Sequence, residues 1–131
     1  MLRAKFKNKK GQSLVEFVLV LPLILLIIMG IFEFGLMFNS YLTINNASRE
    51  GARLASVGGT DIAIEGRVIA VAGNLDPADL AVSANPGEGL RDRGDSVTVT
   101  VVYNHDIITP IISNILGGSI PLTSETTMRV E

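Results

Sequence analysis

The chain has 131 residues, enough for one compact domain, and 18% of them are charged, against about 25% in typical soluble domains. It has no cysteine and one histidine, which excludes a disulfide scaffold, thiol catalysis and a zinc site built from several such residues of one chain. The net charge of −2 indicates no nucleic-acid partner, but it is unevenly distributed. Five basic residues lie in the first ten positions, which leaves positions 11–131 with a net charge of −7.

The basic N-terminus leads into an apolar run. Residues 14–38 are almost wholly apolar, and a helix of this length spans about 37 Å, enough for a hydrocarbon core of about 30 Å. A cleaved secretory signal should end in a small-x-small site, which does not directly follow the run. A buried core helix is the other alternative, but the adjoining lysines favour membrane insertion. We predict one transmembrane helix at about 14–38, with a cytoplasmic N-terminus and the remaining chain outside.

Three residues interrupt this apolar run. Pro22 would disrupt a soluble helix, but membrane helices tolerate proline, and we expect a mild kink. A carboxylate at Glu16 is costly unless it lies in the headgroup zone or has a partner. We expect Glu33 to face either a partner helix or the outer membrane interface.

The helix is predicted to continue beyond the membrane. Small side chains recur every fourth residue in two neighbouring rows, which are Ala47, Gly51, Ala55 and Ser48, Ala52, Ser56. Such a face lets another helix or a sheet approach closely, so Ala47, Gly51 and Ala55 are predicted packing residues. We predict one helix over residues 13–57, about 67 Å long, that ends at the glycines 58–59.

A small domain follows the helix. Thr60 or Asp61 suits the N-cap of a second helix, whose predicted inward residues are Ile62, Ile69 and Ala72. Alternation and turn residues then predict a weak strand at 80–84, a loop at 85–95, a clear strand at 96–104, a short helix after Pro110 and a strand at 121–130. The two clear strands should pair antiparallel.

The expected fold class is therefore α+β. A long N-terminal membrane-spanning helix precedes a small domain with short helices and a two- to three-stranded antiparallel sheet. The predicted parts are a basic leader at 1–11, the long helix at 12–57 and an extracytoplasmic domain at 58–131.

Catalytic chemistry is not expected. His105-Asp106 resembles half of a catalytic pair, but no nucleophile with a supporting motif can be placed beside it. Arg93-Gly94-Asp95 matches an adhesion tripeptide, yet such short matches arise by chance and a plain turn is expected. We predict that the protein is not an enzyme and has no cofactor or metal.

The sharpest motif is Gly11 followed by Glu16-Phe17, which resembles a type IV prepilin processing site. The wider stretches GQSLVEFVLVLPLILLIIMGIFEFG and INNASREGARLAS resemble the TadE-like family, the minor pilins or pseudopilins of the tight-adherence (Flp) pilus system. The segments SVTVTVVYNHDIITPIIS and IPLTSETTMRVE resemble the usual ending of that family.

This resemblance implies a pilus assembly subunit at the cytoplasmic (inner) membrane or in a cell-surface pilus. A prepilin peptidase would cut between Gly11 and Gln12. Glu16, followed by Phe17, would pair with the amino terminus of a neighbouring subunit and set the register of packed helices. The implied partners are the membrane, the peptidase and other pilin or pseudopilin subunits. The alternative is an unprocessed, membrane-anchored extracytoplasmic binding module.

Overall fold

The computed structural model describes residues 9–131, so most of the predicted basic leader lies outside the described residues. The helices are α1 (Lys9–Ser56), α2 (Asp61–Val71) and α3 (Pro110–Leu116), and a 3₁₀ turn spans Pro77–Asp79. The strands are β1 (Leu80–Asn85), β2 (Ser96–Asp106) and β3 (Ser119–Arg129). The predicted fold class is confirmed, with a long apolar helix followed by a small domain that contains a three-stranded antiparallel sheet.

The long helix α1 has 48 residues and is continuous through Pro22. It stops at the predicted glycines because Gly58 adopts a left-handed conformation, with φ of 90°. The amide of Gly59 then donates to the carbonyl of Leu54 (2.9 Å), and the amide of Gly58 donates to that of Ala55 (3.2 Å). These two bonds form a Schellman motif, which satisfies helix carbonyls that would otherwise lack donors.

The sheet has the order β1-β2-β3, and both neighbouring pairs are antiparallel. The central strand β2 pairs with β1 from Leu80 opposite Tyr103, and with β3 from Ser96 opposite Arg129. Side chains alternate across a strand, and the valines at 97, 99 and 101 form its inward row with no exposed surface.

The core lies between this sheet, α2 and the second half of α1. Its buried residues are Ile44, Ala47, Ala52, Ala55, Ile64, Val68, Ala72, Leu75, Val97, Val99, Val101 and Val130. The first half of α1 contributes none of them. The domain core therefore includes residues 44–55 of the long helix, which fixes the direction in which the rest of that helix leaves the domain.

The predicted inward face of α2 is partly wrong. Ile62 is 83% exposed, whereas Ile64 and Val68 are buried. Residues four apart share a helix face, so Ile64, Val68 and the buried Ala72 line up against the core while Ile62 points away. Thr60 is the N-cap, and its hydroxyl accepts from the Ala63 amide (3.1 Å).

Candidate functional site on the long helix

The first half of α1 is apolar and uncovered. Large side chains from Leu14 to Phe32 are mostly exposed. The most apolar stretch of 18 residues in this helix contains no buried residue. A soluble protein rarely exposes a continuous apolar surface of this size. Among the described residues, α1 is the one helix long and apolar enough to cross a membrane.

The residues of the predicted processing motif lie at the start of this exposed helix. A Cβ added at Gly11 would meet nothing within 4 Å. Gln12, Glu16 and Phe17 are all exposed. The Gln12 side-chain amide donates weakly to Glu16 Oε1 (3.4 Å), one helical turn away, and this is the hydrogen bond that Glu16 makes among the described residues.

The predicted packing residues lie in the other half of α1, against the chain's own domain. Ala47 and Ala55 have no exposed surface, and Gly51 is buried. A Cβ at Gly51 would lie 2.8 Å from Val68 Cγ2 in α2 and 3.2 Å from Val99 Cγ1 in β2. A helix and a sheet thus both approach this face, and glycine allows the close contact.

A buried hydroxyl cluster secures the same interface. Ser48 is fully buried, and its Oγ lies 3.1 Å from Ser124 Oγ and 2.8 Å from Thr126 Oγ1 in β3. The Ser124 hydroxyl also donates to Asn45 Oδ1 (3.1 Å). A buried hydroxyl is costly without a partner, so these bonds fix the position of β3 along α1.

A second polar cluster joins α1 to the domain near the middle of the helix. His105 Nε2 donates to Glu33 Oε1 (3.0 Å), and Glu33 Oε2 accepts from the amides of Ile108 (3.2 Å) and Thr109 (3.3 Å) and from the Thr109 hydroxyl (3.1 Å). Glu33 and His105 are both buried. Four donor groups, of which the Ile108 amide also makes a longer contact to Oε1, would balance a buried carboxylate well.

The hydrogen-bond partners of Glu33 come from the chain's own β2–α3 connection, which was not predicted from the sequence. The reason is that His105 and Glu33, 72 positions apart, meet only when the domain packs along α1. The expected location of Glu33 at the outer membrane interface stays a prediction. Asp106, the sequence neighbour of His105, lies on the opposite side of the strand and is exposed.

Tyr103 and the Arg93-Gly94-Asp95 turn both have a structural explanation. Burial raises the pKa of the Tyr103 phenol, and the carboxylates of Asp79, Asp106 and Asp76 add to the effect. The tripeptide lies in the turn before β2, where Gly94 has φ of 93° and its amide donates to the Val130 carbonyl (2.8 Å). Only glycine adopts this conformation readily.

About one third of the chain, at its N-terminal end, matches a known protein family. The profile described as TadE-like protein matches residues 11–53, which confirms the resemblance to that family over this segment. The match begins at Gly11 and ends before Ala55. The two C-terminal segments that resemble the ending of the family therefore lie outside it. Searches among curated proteins and solved structures find no match. The match and the single apolar helix are consistent with a membrane subunit associated with the tight-adherence (Tad) pilus.

Proposed function

We propose that this chain is a pilin-like assembly subunit of a tight-adherence (Flp) pilus, a minor pilin or pseudopilin. One observation carries the proposal: the segment matched to the TadE-like family begins at Gly11 and contains an apolar helix that the rest of the chain leaves uncovered. Apolar side chains on such a helix need lipid or other helices around them. The subunit acts by helix packing and performs no catalysis.

The charge distribution supports a defined orientation in the cytoplasmic membrane. All the lysines of the chain precede Gly11, whereas the domain beyond the helix is acidic. Cytoplasmic flanks of transmembrane helices are rich in lysine and arginine, so the N-terminus is assigned to the cytoplasm and the domain to the outside.

Processing after Gly11 would remove this basic segment and leave Gln12 as the new amino terminus. Gln12 and Glu16 lie one turn apart on the helix surface. In a bundle of such helices the Glu16 carboxylate would face an apolar environment, where an unpaired charge is costly. The amino group of a neighbouring subunit is the partner of opposite charge that processing creates, and their pairing would set the register between subunits.

The division of α1 supports a specific mode of assembly. Its small-residue face is already occupied by the chain's own α2 and β2. Contacts with neighbouring helices therefore fall to the uncovered first half, where large apolar side chains surround the helix. The domain is carried outside this bundle by the second half of the same helix.

Mass spectrometry of the native protein tests the processing step. In cells with active prepilin peptidase, the mature chain should start at Gln12. Gly11→Val should retain the leader, because the peptidase recognises glycine and a Cβ at this position meets no atom of residues 9–131 within 4 Å. Gly35→Val, in equally open surroundings on the same helix, should be cut normally. A wild-type chain that starts at Met1 or Leu2 in these cells contradicts the proposal and favours the unprocessed binding module.

Replacement of the glutamate tests the register. Glu16→Ala should stay in the membrane fraction during alkaline extraction but lose pilus assembly. Glu65→Ala, which removes an exposed acid from α2, should assemble normally. Normal piliation of the Glu16→Ala strain would refute the assembly role of this carboxylate.

A further inference from the structure

The connection between β2 and β3 forms an apolar protrusion beside α1. This apolar connection, residues 107–118, contains α3 and is closed at its base by the Ile107 amide, which donates to the Gly118 carbonyl (3.0 Å). No charged residue occurs from Ile107 to Ser124. A surface connection of a soluble domain usually carries polar and charged side chains, so this composition calls for a physical explanation.

The large side chains of the apolar connection fall into three groups. Ile107 is buried at its base. Ile112 and Leu116 line a groove with Gly30, Phe34 and Met37 of α1, although Leu116 is still 51% exposed. The others are exposed, namely Ile108 (72%), Ile111 (51%) and Ile115 (73%). Ile111 and Ile115 are four residues apart and therefore share one face of α3.

The position of the connection along α1 is fixed by Glu33, which accepts hydrogen bonds from the amides of Ile108 and Thr109. From Leu14, the first residue of the apolar run, to Glu33 the helix rises about 28 Å. The hydrocarbon core of a bilayer is about 30 Å thick. When the helix crosses the membrane with Leu14 at one edge, Glu33 and the apolar connection lie at the other edge.

We propose that the apolar connection is a membrane-docking element, which inserts Ile108, Ile111 and Ile115 into the outer interfacial layer of the same bilayer that α1 crosses. The proposal rests on the anchoring role of α1 proposed above. The connection that carries the exposed isoleucines also lines an apolar groove with Gly30, Phe34 and Met37 of α1, at the depth where lipid ends. The lipid surface is therefore the occupant that the geometry favours. Docking holds the domain against the membrane by a second attachment beside the helix.

Site-directed spin labelling of the full-length protein in vesicles of phosphatidylcholine and phosphatidylglycerol tests this inference. The natural chain has no cysteine, so single labels can be placed without background. Ile111→Cys and Ile115→Cys carry the test labels. Ile24→Cys, within the apolar run, reports the anchor, and Ile62→Cys, 83% exposed on α2, reports water. Oxygen concentrates in lipid and a nickel chelate stays in water, so the ratio of their collisions with the label measures depth.

We expect the label at position 24 to collide mainly with oxygen and the label at position 62 to collide mainly with the nickel chelate. The collision ratio at positions 111 and 115 should lie between these two values. Nickel excess at positions 111 and 115, equal to that at position 62, overturns the docking while position 24 still reports an inserted anchor. Shielding of both test positions from both reagents also overturns it, in favour of contact with a second copy. Nickel excess at position 24 would show that α1 is not inserted in the bilayer, which contradicts the anchoring role and therefore the docking as well.

Discussion

At Gly51, α1 approaches the domain core closely, and substitution of this glycine gives a sharp test of the packing. A Cβ there would lie 2.8 Å from Val68 Cγ2, 3.2 Å from Val99 Cγ1 and 3.5 Å from Ile64 Cγ2. Val68 is fully buried and β-branched, and in a helix such a side chain has one strongly preferred rotamer. Because it cannot turn away, Gly51→Ala should force an overlap that costs about 1–3 kcal/mol.

An opposing effect must be separated from this cost. Alanine is about 1 kcal/mol more favourable than glycine inside a helix. Gly66 in α2 isolates that gain, because a Cβ there meets nothing within 4 Å. The gain cancels when the two variants are compared, so Gly51→Ala should be about 1–3 kcal/mol less stable than Gly66→Ala. Gly66→Ala should itself be more stable than the natural chain.

Hydrogen exchange of the β2 amides provides the measurement, with the full-length protein in detergent micelles. Strand β2 is central in the sheet, so its amides exchange only when the domain opens, and their protection reports the free energy of opening. The apolar half of α1 stays in the micelle and does not contribute to this signal. Equal stabilisation by both substitutions would refute the close approach of Val68 to Gly51.

Two further predictions use the same measurement. Ser48→Ala removes the hydroxyl that links α1 to two hydroxyls of β3, and it should cost about 1–3 kcal/mol because buried polar groups lose a partner; an unchanged opening free energy would contradict the cluster. The Glu88 amide and the Arg91 guanidinium hold the pKa of the Asp61 carboxyl below its ordinary value of 3.8. Ionised Asp61 therefore stabilises the fold above that value, and the contribution is lost as the pH falls through the lowered pKa. Asp61→Asn should destabilise the domain at pH 7 but not in strong acid, and an equal effect at both pH values would exclude the linkage.

The elements that depend on local pattern could be predicted from the sequence. In β2, alternate side chains face either the core or the other side, so the row of valines carries a period of two. The small-residue rows of α1 and the glycines that end it are local in the same sense. The predicted inward face of α2 was partly wrong because Ile62 and Ile69 are as apolar as Ile64, and hydrophobicity alone does not show which of them meets Gly51.

The polar cluster at Glu33 could not be derived from local pattern, although the sequence contains a signal for it. An acid inside an apolar helix is costly without a partner, and so is a buried histidine. His105 lies one residue beyond the predicted strand and continues its inward row. One side chain is an acid and the other a base, so each is a candidate hydrogen-bond partner for the other. Their separation of 72 positions means that only the packing of the domain along α1 brings them together.

The two acids of the apolar helix differ in their hydrogen-bond partners, and this difference links subunit assembly to the position of the domain. Glu16 and Glu33 are separated by about 26 Å along the helix, so each would lie near one edge of a hydrocarbon core of about 30 Å in the proposed transmembrane arrangement. Glu33 has its partners within the chain, whereas Glu16 is exposed and makes one weak bond to Gln12 among the described residues. Only Glu16 is therefore available to a neighbouring subunit. Because α1 is continuous and Glu33 ties the domain to it, a register set at Glu16 would also set the height of the domain above the membrane.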